Sequence, residues 1–126
     1  MKFSEMKYER PDIEAVKTEL KSLTERLKNA ESYGDAKKVF LENEKFTKHV
    51  ATMQTLSSIR HSVDTRDTFY DGEEKFWNTA LPELQEYTQA WTDAMLTSRF
   101  RADFEREYGS VMFINAEIEL KTFSPE

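Results

Sequence analysis

The two histidines, His49 and His61, are the first residues to test for chemistry. Twelve positions apart on one helix, they point about 120° away from each other, so they cannot share a metal without help from other helices. The zinc-protease pattern H-E-x-x-H needs a glutamate directly after the first histidine. Val50 follows His49 and Ser62 follows His61, so neither fits. The di-iron bundle pattern needs a glutamate three positions before a histidine. Those positions hold Phe46 and Ser58. There is no cysteine, hence no thiolate ligand, cysteine nucleophile or disulfide. The sequence also lacks a Gly-rich phosphate loop and a G-x-S-x-G elbow. No complete catalytic constellation is present. The residues themselves therefore assign no catalytic, cofactor-binding or metal-binding position.

The densest group of chemically able side chains is Ser57 to Tyr70. Arg60, Asp64 and Asp67 share a face if the helix continues, and His61 stands three positions before Asp64. Such a group can hold an anion. It can equally be a charge network that locks a corner between helices, since arginine forks and aspartate caps are common at helix ends. The corner reading is preferred. Asp64 and Asp67 lack the further oxygen ligands that a hard cation needs. Trp77, Tyr87 and Trp91 could line a ligand box, but their helical spacing reads as core.

The elements that must carry these residues are helices. The chain has 126 residues, 33% charged and 38% hydrophobic, with three Gly and three Pro. That composition suits one domain of long solvated helices. The net charge of −6 is spread without a basic stripe, which argues against nucleic acid and anionic membrane as partners. The N-terminus has no apolar signal core and no run reaches membrane-spanning length, so a cytoplasmic location is expected.

In order, residues 1–11 read as an irregular lead, and Arg10-Pro11-Asp12 starts a helix with Pro11 in its first position. Ile13, Val16, Leu20, Leu23 and Leu27 follow at heptad spacing, which predicts an internal helix–helix contact. Ser32 caps a second helix over 33–63, facing the core through Ala36, Val39, Phe40, Phe46, Val50, Met53, Leu56 and Val63, with Ile59 beside them. Asp64 or Thr65 caps a third helix, which Pro82 should kink or break near residues 78–81. A short helix over 99–108 ends at Gly109. Residues 111–120 are apolar on most sides and should be a well-buried helix, in preference to a strand. The expected fold is all-α: an antiparallel bundle of long amphipathic helices with shorter C-terminal ones.

Ser124-Pro125-Glu126 is a helix start signal, with Ser at the cap and Pro at the first position. A chain that stops on such a signal reads as one cut from a longer protein. Three stretches also carry a resemblance. They are Met1-Lys2-Phe3-Ser4 with Tyr8-Glu9-Arg10-Pro11, then residues 49–53 and 55–70, and finally Ala116 to Glu126. In order and spacing they resemble the start of the oligoendopeptidase F family of zinc metallopeptidases, which are thimet-oligopeptidase-like. The resemblance implies an N-terminal helical domain, 1–126, that helps wall a channel admitting short peptides. It implies zinc in a catalytic H-E-x-x-H domain outside this chain, where the ion polarises the scissile carbonyl. The implied partners are that catalytic domain and the parent enzyme's peptide substrates, and the isolated piece should be inactive and prone to self-association. The alternative from another class is a free-standing acidic helical interaction module.

Overall fold

A computed structural model describes residues 7–63, 66 and 68–123; of residues 119–123 it describes the backbone alone. Among the described residues the order is α1 (Ile13–Lys28), α2 (Tyr33–Val63), α3 (Thr68–Leu96), α4 (Arg101–Tyr108) and α5 (Val111–Phe123), with no strand. The all-α expectation holds, and residues 111–120 are helical.

Local chemistry sets the helix ends. Asp12 is the N-cap of α1, accepting from the backbone N–H of Glu14 at 3.0 Å and of Ala15 at 3.3 Å. Pro11 therefore lies one residue before the cap, not in the first helical position: the aspartate oxygen satisfies two orphan donors there, and proline has no side-chain oxygen to offer. Ser32 caps α2 by accepting from Asp35 N–H at 3.2 Å. Gly109 ends α4 at φ +90°, a backbone region open to glycine and rarely used by other residues. The expected caps Asp64 and Thr65, with Asp67, lie outside the described residues.

The long helices α2 and α3 form a hairpin, and α1 packs on both. The heptad seam is internal: Val16, Leu20, Leu23 and Leu27 are all buried. At 1.5 Å per residue α1 covers about 24 Å, roughly half the hairpin. Its C-terminal half joins Phe40, Trp91, Met95, Phe104 and Phe113 in the largest core cluster. Its N-terminal half meets Leu84, with Phe46, Val50 and Tyr87 around it. Beyond that point α1 gives no cover. The irregular residues before it take over, placing Tyr8 against the cluster of Met53, Leu56 and Trp77.

Three expectations need correction. Pro82 does not split α3, which runs unbroken from Thr68 to Leu96. Proline removes one backbone bond, to the carbonyl four residues back. Asn78 and Pro82 both lie on the exposed side, where water can serve that carbonyl, while Ala80 and Leu84 anchor the helix from the core. Val63 is 83% exposed and Ile59 is exposed, because the last turn of α2 meets α3 through Arg60 and His61 instead. The third correction concerns α5. Phe113 is buried, but Val111, Ile114 and Ile118 stand 66%, 51% and 57% exposed. The helix packs on α3 and α4 from one side, and no described element covers the other.

Candidate functional site

Polar chemistry concentrates where the lead residues cross the α2–α3 hairpin. Glu73 falls on the core stripe of α3, in register with Trp77, Ala80 and Leu84, and is only 3% exposed. A carboxylate there is costly unless its oxygens are served. Arg10 serves them: Nε donates to Oε1 at 3.0 Å and to Oε2 at 3.1 Å, and Nη2 also donates to Oε2. Tyr8 Oη donates to Oε1 at 2.5 Å, and Trp77 Nε1 donates to Tyr8 Oη at 3.1 Å. The Arg10 guanidinium also lies 4.3 Å from the Phe76 ring centroid.

This geometry fixes the protonation states. Hydrogen bonding from Arg10, then from Tyr8, holds the Glu73 carboxyl below the usual range despite its burial. Burial, then the bond to Glu73, pushes the Tyr8 phenol up to about 12. Glu73 is thus a committed anion with both oxygens engaged, which suits a clamp and not a general base. Its lowered value contributes stability above the unfolded glutamate pKa of about 4.3, lost as pH falls through the folded value. Tyr8 acts in the opposite sense: its contribution is full below about pH 10 and is lost as pH rises through the folded value. Thermal melts should therefore fall as the solution is acidified below about pH 4, and Glu73→Gln should flatten that arm of the profile. An unchanged acid arm in the variant would remove Glu73 as its source.

The corner singled out by sequence is partly described. Arg60 Nη1 donates to Tyr70 Oη at 3.0 Å. His61 faces α3, with Nδ1 3.0 Å from Glu74 Oε2 and Nε2 3.6 Å from Asp71 Oδ1. Asp64 and Asp67 lie outside the described residues, so the Arg60–Asp64–Asp67 face does too. His49 is exposed on α2. Trp77 and Trp91 are buried in separate clusters with Tyr87 half-buried between them, which is core and not a ligand box.

One concave surface is apolar. Between α2 and α3, floored by Val16 and Leu20 of α1, runs a groove of about 490 Å³. Phe46, Val50 and Leu84 form its walls, and Thr47, Ala51, Gln54, Leu81, Gln85 and Thr88 also line it. Every residue lining it is uncharged, in a chain one-third charged. Charge depletion of this kind marks surfaces that pack against something more than surfaces that bind ions. No described residue in the groove pairs a nucleophile with a base.

Two comparisons decide what such a domain is. The Peptidase M3 N-terminal domain family matches residues 3–123. The chain belongs to this family. Among solved structures, it superposes at TM-score 0.93 and 33% identity on a protein assigned to oligoendopeptidase F, covering 99% of this chain and 22% of that one. A Bacillus anthracis protein with the same assignment matches at TM-score 0.93 and 36% identity, over 98% and 23%. PZ peptidase A, solved with an inhibitor, matches at 0.92 and 33%, over 98% and 22%. No curated protein matches the chain. This M3 N-terminal domain thus spans less than a quarter of the solved chains it resembles. Among its described residues, no helix is long and apolar enough to cross a membrane.

Sequence reasoning passed over the Tyr8–Arg10–Glu73 clamp and the groove. The clamp left a signal: a glutamate inside an apolar helical stripe demands a cation to pair with it. The groove left a weaker one, in the run of uncharged residues at 46, 47, 50, 51 and 54.

Proposed function

We propose that this chain is the N-terminal helical domain of a zinc-dependent oligoendopeptidase, and that it walls the channel restricting substrates to short peptides. The observation that carries the reading is its fit, at 33–36% identity over nearly its whole length, into oligoendopeptidase F structures more than four times longer. The family's catalytic zinc would be held elsewhere, because the 126 residues contain no H-E-x-x-H. Their contribution is shape: a stiff hairpin, clamped at one end by Arg10–Glu73 and closed at the other by α4 and α5.

The partner is the catalytic portion of the same enzyme. The ridge of Val111, Ile114 and Ile118 on α5 and the uncharged α2–α3 groove are the faces it would cover. Their exposure explains why a sequence reading expects α5 to be buried. Family membership favours this reading over a free-standing acidic module. A cytoplasmic location and the absence of nucleic-acid and membrane partners belong to the same reading.

The test is enzymatic. The purified 126-residue chain should cleave no internally quenched peptide, with or without added zinc. The protein read from the complete gene should cleave short peptides, lose that activity to a chelator, and spare the same sequence within a folded protein. Chelator-sensitive cleavage by the 126-residue chain would sink the proposal. So would a reading frame that stops at codon 126.

A further inference from the structure

His61, Asp71 and Glu74 bring together three donor atoms within 4.8 Å of one another, where α2 ends and α3 begins. Asp71 and Glu74 are three apart on α3, so their carboxylates share one face and meet His61 across the hairpin. Both nitrogens of the ring are addressed by an anion. Nδ1 is 3.0 Å from Glu74 Oε2, a hydrogen-bond distance. Nε2 is 3.6 Å from Asp71 Oδ1, too long for one. Lys75 lies 3.4 Å from the other Asp71 oxygen, Oδ2, and leaves Oδ1 turned to the ring.

A neutral imidazole has one N–H and one lone pair. A proton on Nδ1, the ring nitrogen nearer a carboxylate, would leave the Nε2 lone pair facing Asp71 Oδ1. Two electron-rich atoms then confront each other across a gap that a cation would fill. Two donors bound to a tetrahedral zinc-sized ion at about 2.0–2.1 Å stand roughly 3.3–3.4 Å apart, close to the observed gap. A carboxylate on the remaining ring N–H is also the usual support for a metal-bound histidine.

The geometry points to a divalent transition-metal site on His61 Nε2 and Asp71, oriented by Glu74 and completed by water. The mixed imidazole and carboxylate donors suit zinc, cobalt or nickel, whereas magnesium and calcium prefer all-oxygen shells. An ion there would tie the end of α2 to the start of α3 and stabilise the folded hairpin by mass action. The site stands on residues of this chain and does not depend on the peptidase reading.

Cobalt(II) is the probe. Titrated into the 126-residue protein at neutral pH, it should bind saturably at one ion per chain, raise the melting temperature, and be displaced by zinc but not by magnesium. His61→Ala should abolish binding, and Glu74→Gln should weaken it about 10- to 100-fold. His49→Ala should leave it unchanged. Paramagnetic broadening in the wild-type protein provides a reading that does not rely on variants folding: the His61 ring signals should broaden before those of His49. Non-saturable binding, binding that survives His61→Ala in a folded variant, or preferential broadening of His49 would overturn the assignment.

Discussion

Arg10→Ala should be among the most damaging single changes in the domain, costing about 3–5 kcal/mol in urea unfolding. The side chain lost is half-exposed, so the cost does not come from its own packing. It comes from Glu73, which is 3% exposed in the intact domain and would keep only the Tyr8 hydroxyl as partner. For a domain whose whole stability is on the order of 5–15 kcal/mol, that is a large share. The opposite truncation should be milder. Glu73→Gln removes the charge, keeps an oxygen for Tyr8, and leaves Arg10 close enough to water to be solvated. The double variant should therefore lose less than the sum of the two singles, because the penalty for a stranded anion is gone once the anion is gone. Simple additivity in that cycle would mean that Arg10 and Glu73 do not act as a pair.

This clamp also shows where reading the sequence stopped. Helix existence was legible because it rests on local periodicity: the seam from Ile13 to Leu27 and the cap at Ser32 need no knowledge of the rest of the chain. Partnership across long separations was not. Arg10 and Glu73 are 63 positions apart, and nothing local to Pro11 says that the preceding arginine lies along α3. His61 shows the same limit. Its sequence neighbours suggested Asp64, while folding presents it to Asp71 and Glu74 on the next helix. Burial failed in an instructive direction. Val63 and the α5 ridge were expected inside because they are apolar, but burial also requires a neighbour, and a domain that is one part of a longer protein can leave such positions uncovered. The expected break at Pro82 failed through tertiary override, since core contacts on one side of α3 hold it together across Pro82.

Phe104→Ala should cost a similar amount, about 3–5 kcal/mol, and should act locally. α4 has eight residues, too few to be helical alone in water. It is held by tertiary contacts, and Phe104 is its one buried residue, at 0% exposure. Its ring lies edge-on to Tyr33 at 5.1 Å and tilted against Phe40 at 5.3 Å, joining α4 to the start of α2. These helices are also joined by Phe40 against the Tyr108 ring at 5.1 Å, and by Glu107, which accepts from Tyr33 Oη and Lys37 Nζ at 2.5 Å each. Lys37, then Tyr33, holds the Glu107 carboxyl below its usual range. The Glu107 link is solvent-exposed and salt-screened, and Tyr108 is 40% exposed, so neither replaces the buried ring. Removing the ring should free α4 first and α5 with it, because the two helices pack on each other. Amide exchange should then accelerate across residues 101–118 while the seam of α1 and the middle of the α2–α3 hairpin keep their protection. Phe104→Leu, which retains most of the volume, should cost only about 1 kcal/mol and leave the exchange pattern intact. Uniform loss of protection in the alanine variant, with α1 exchanging as fast as α4, would instead make the domain one cooperative unit in which α4 and α5 are as integral as the hairpin.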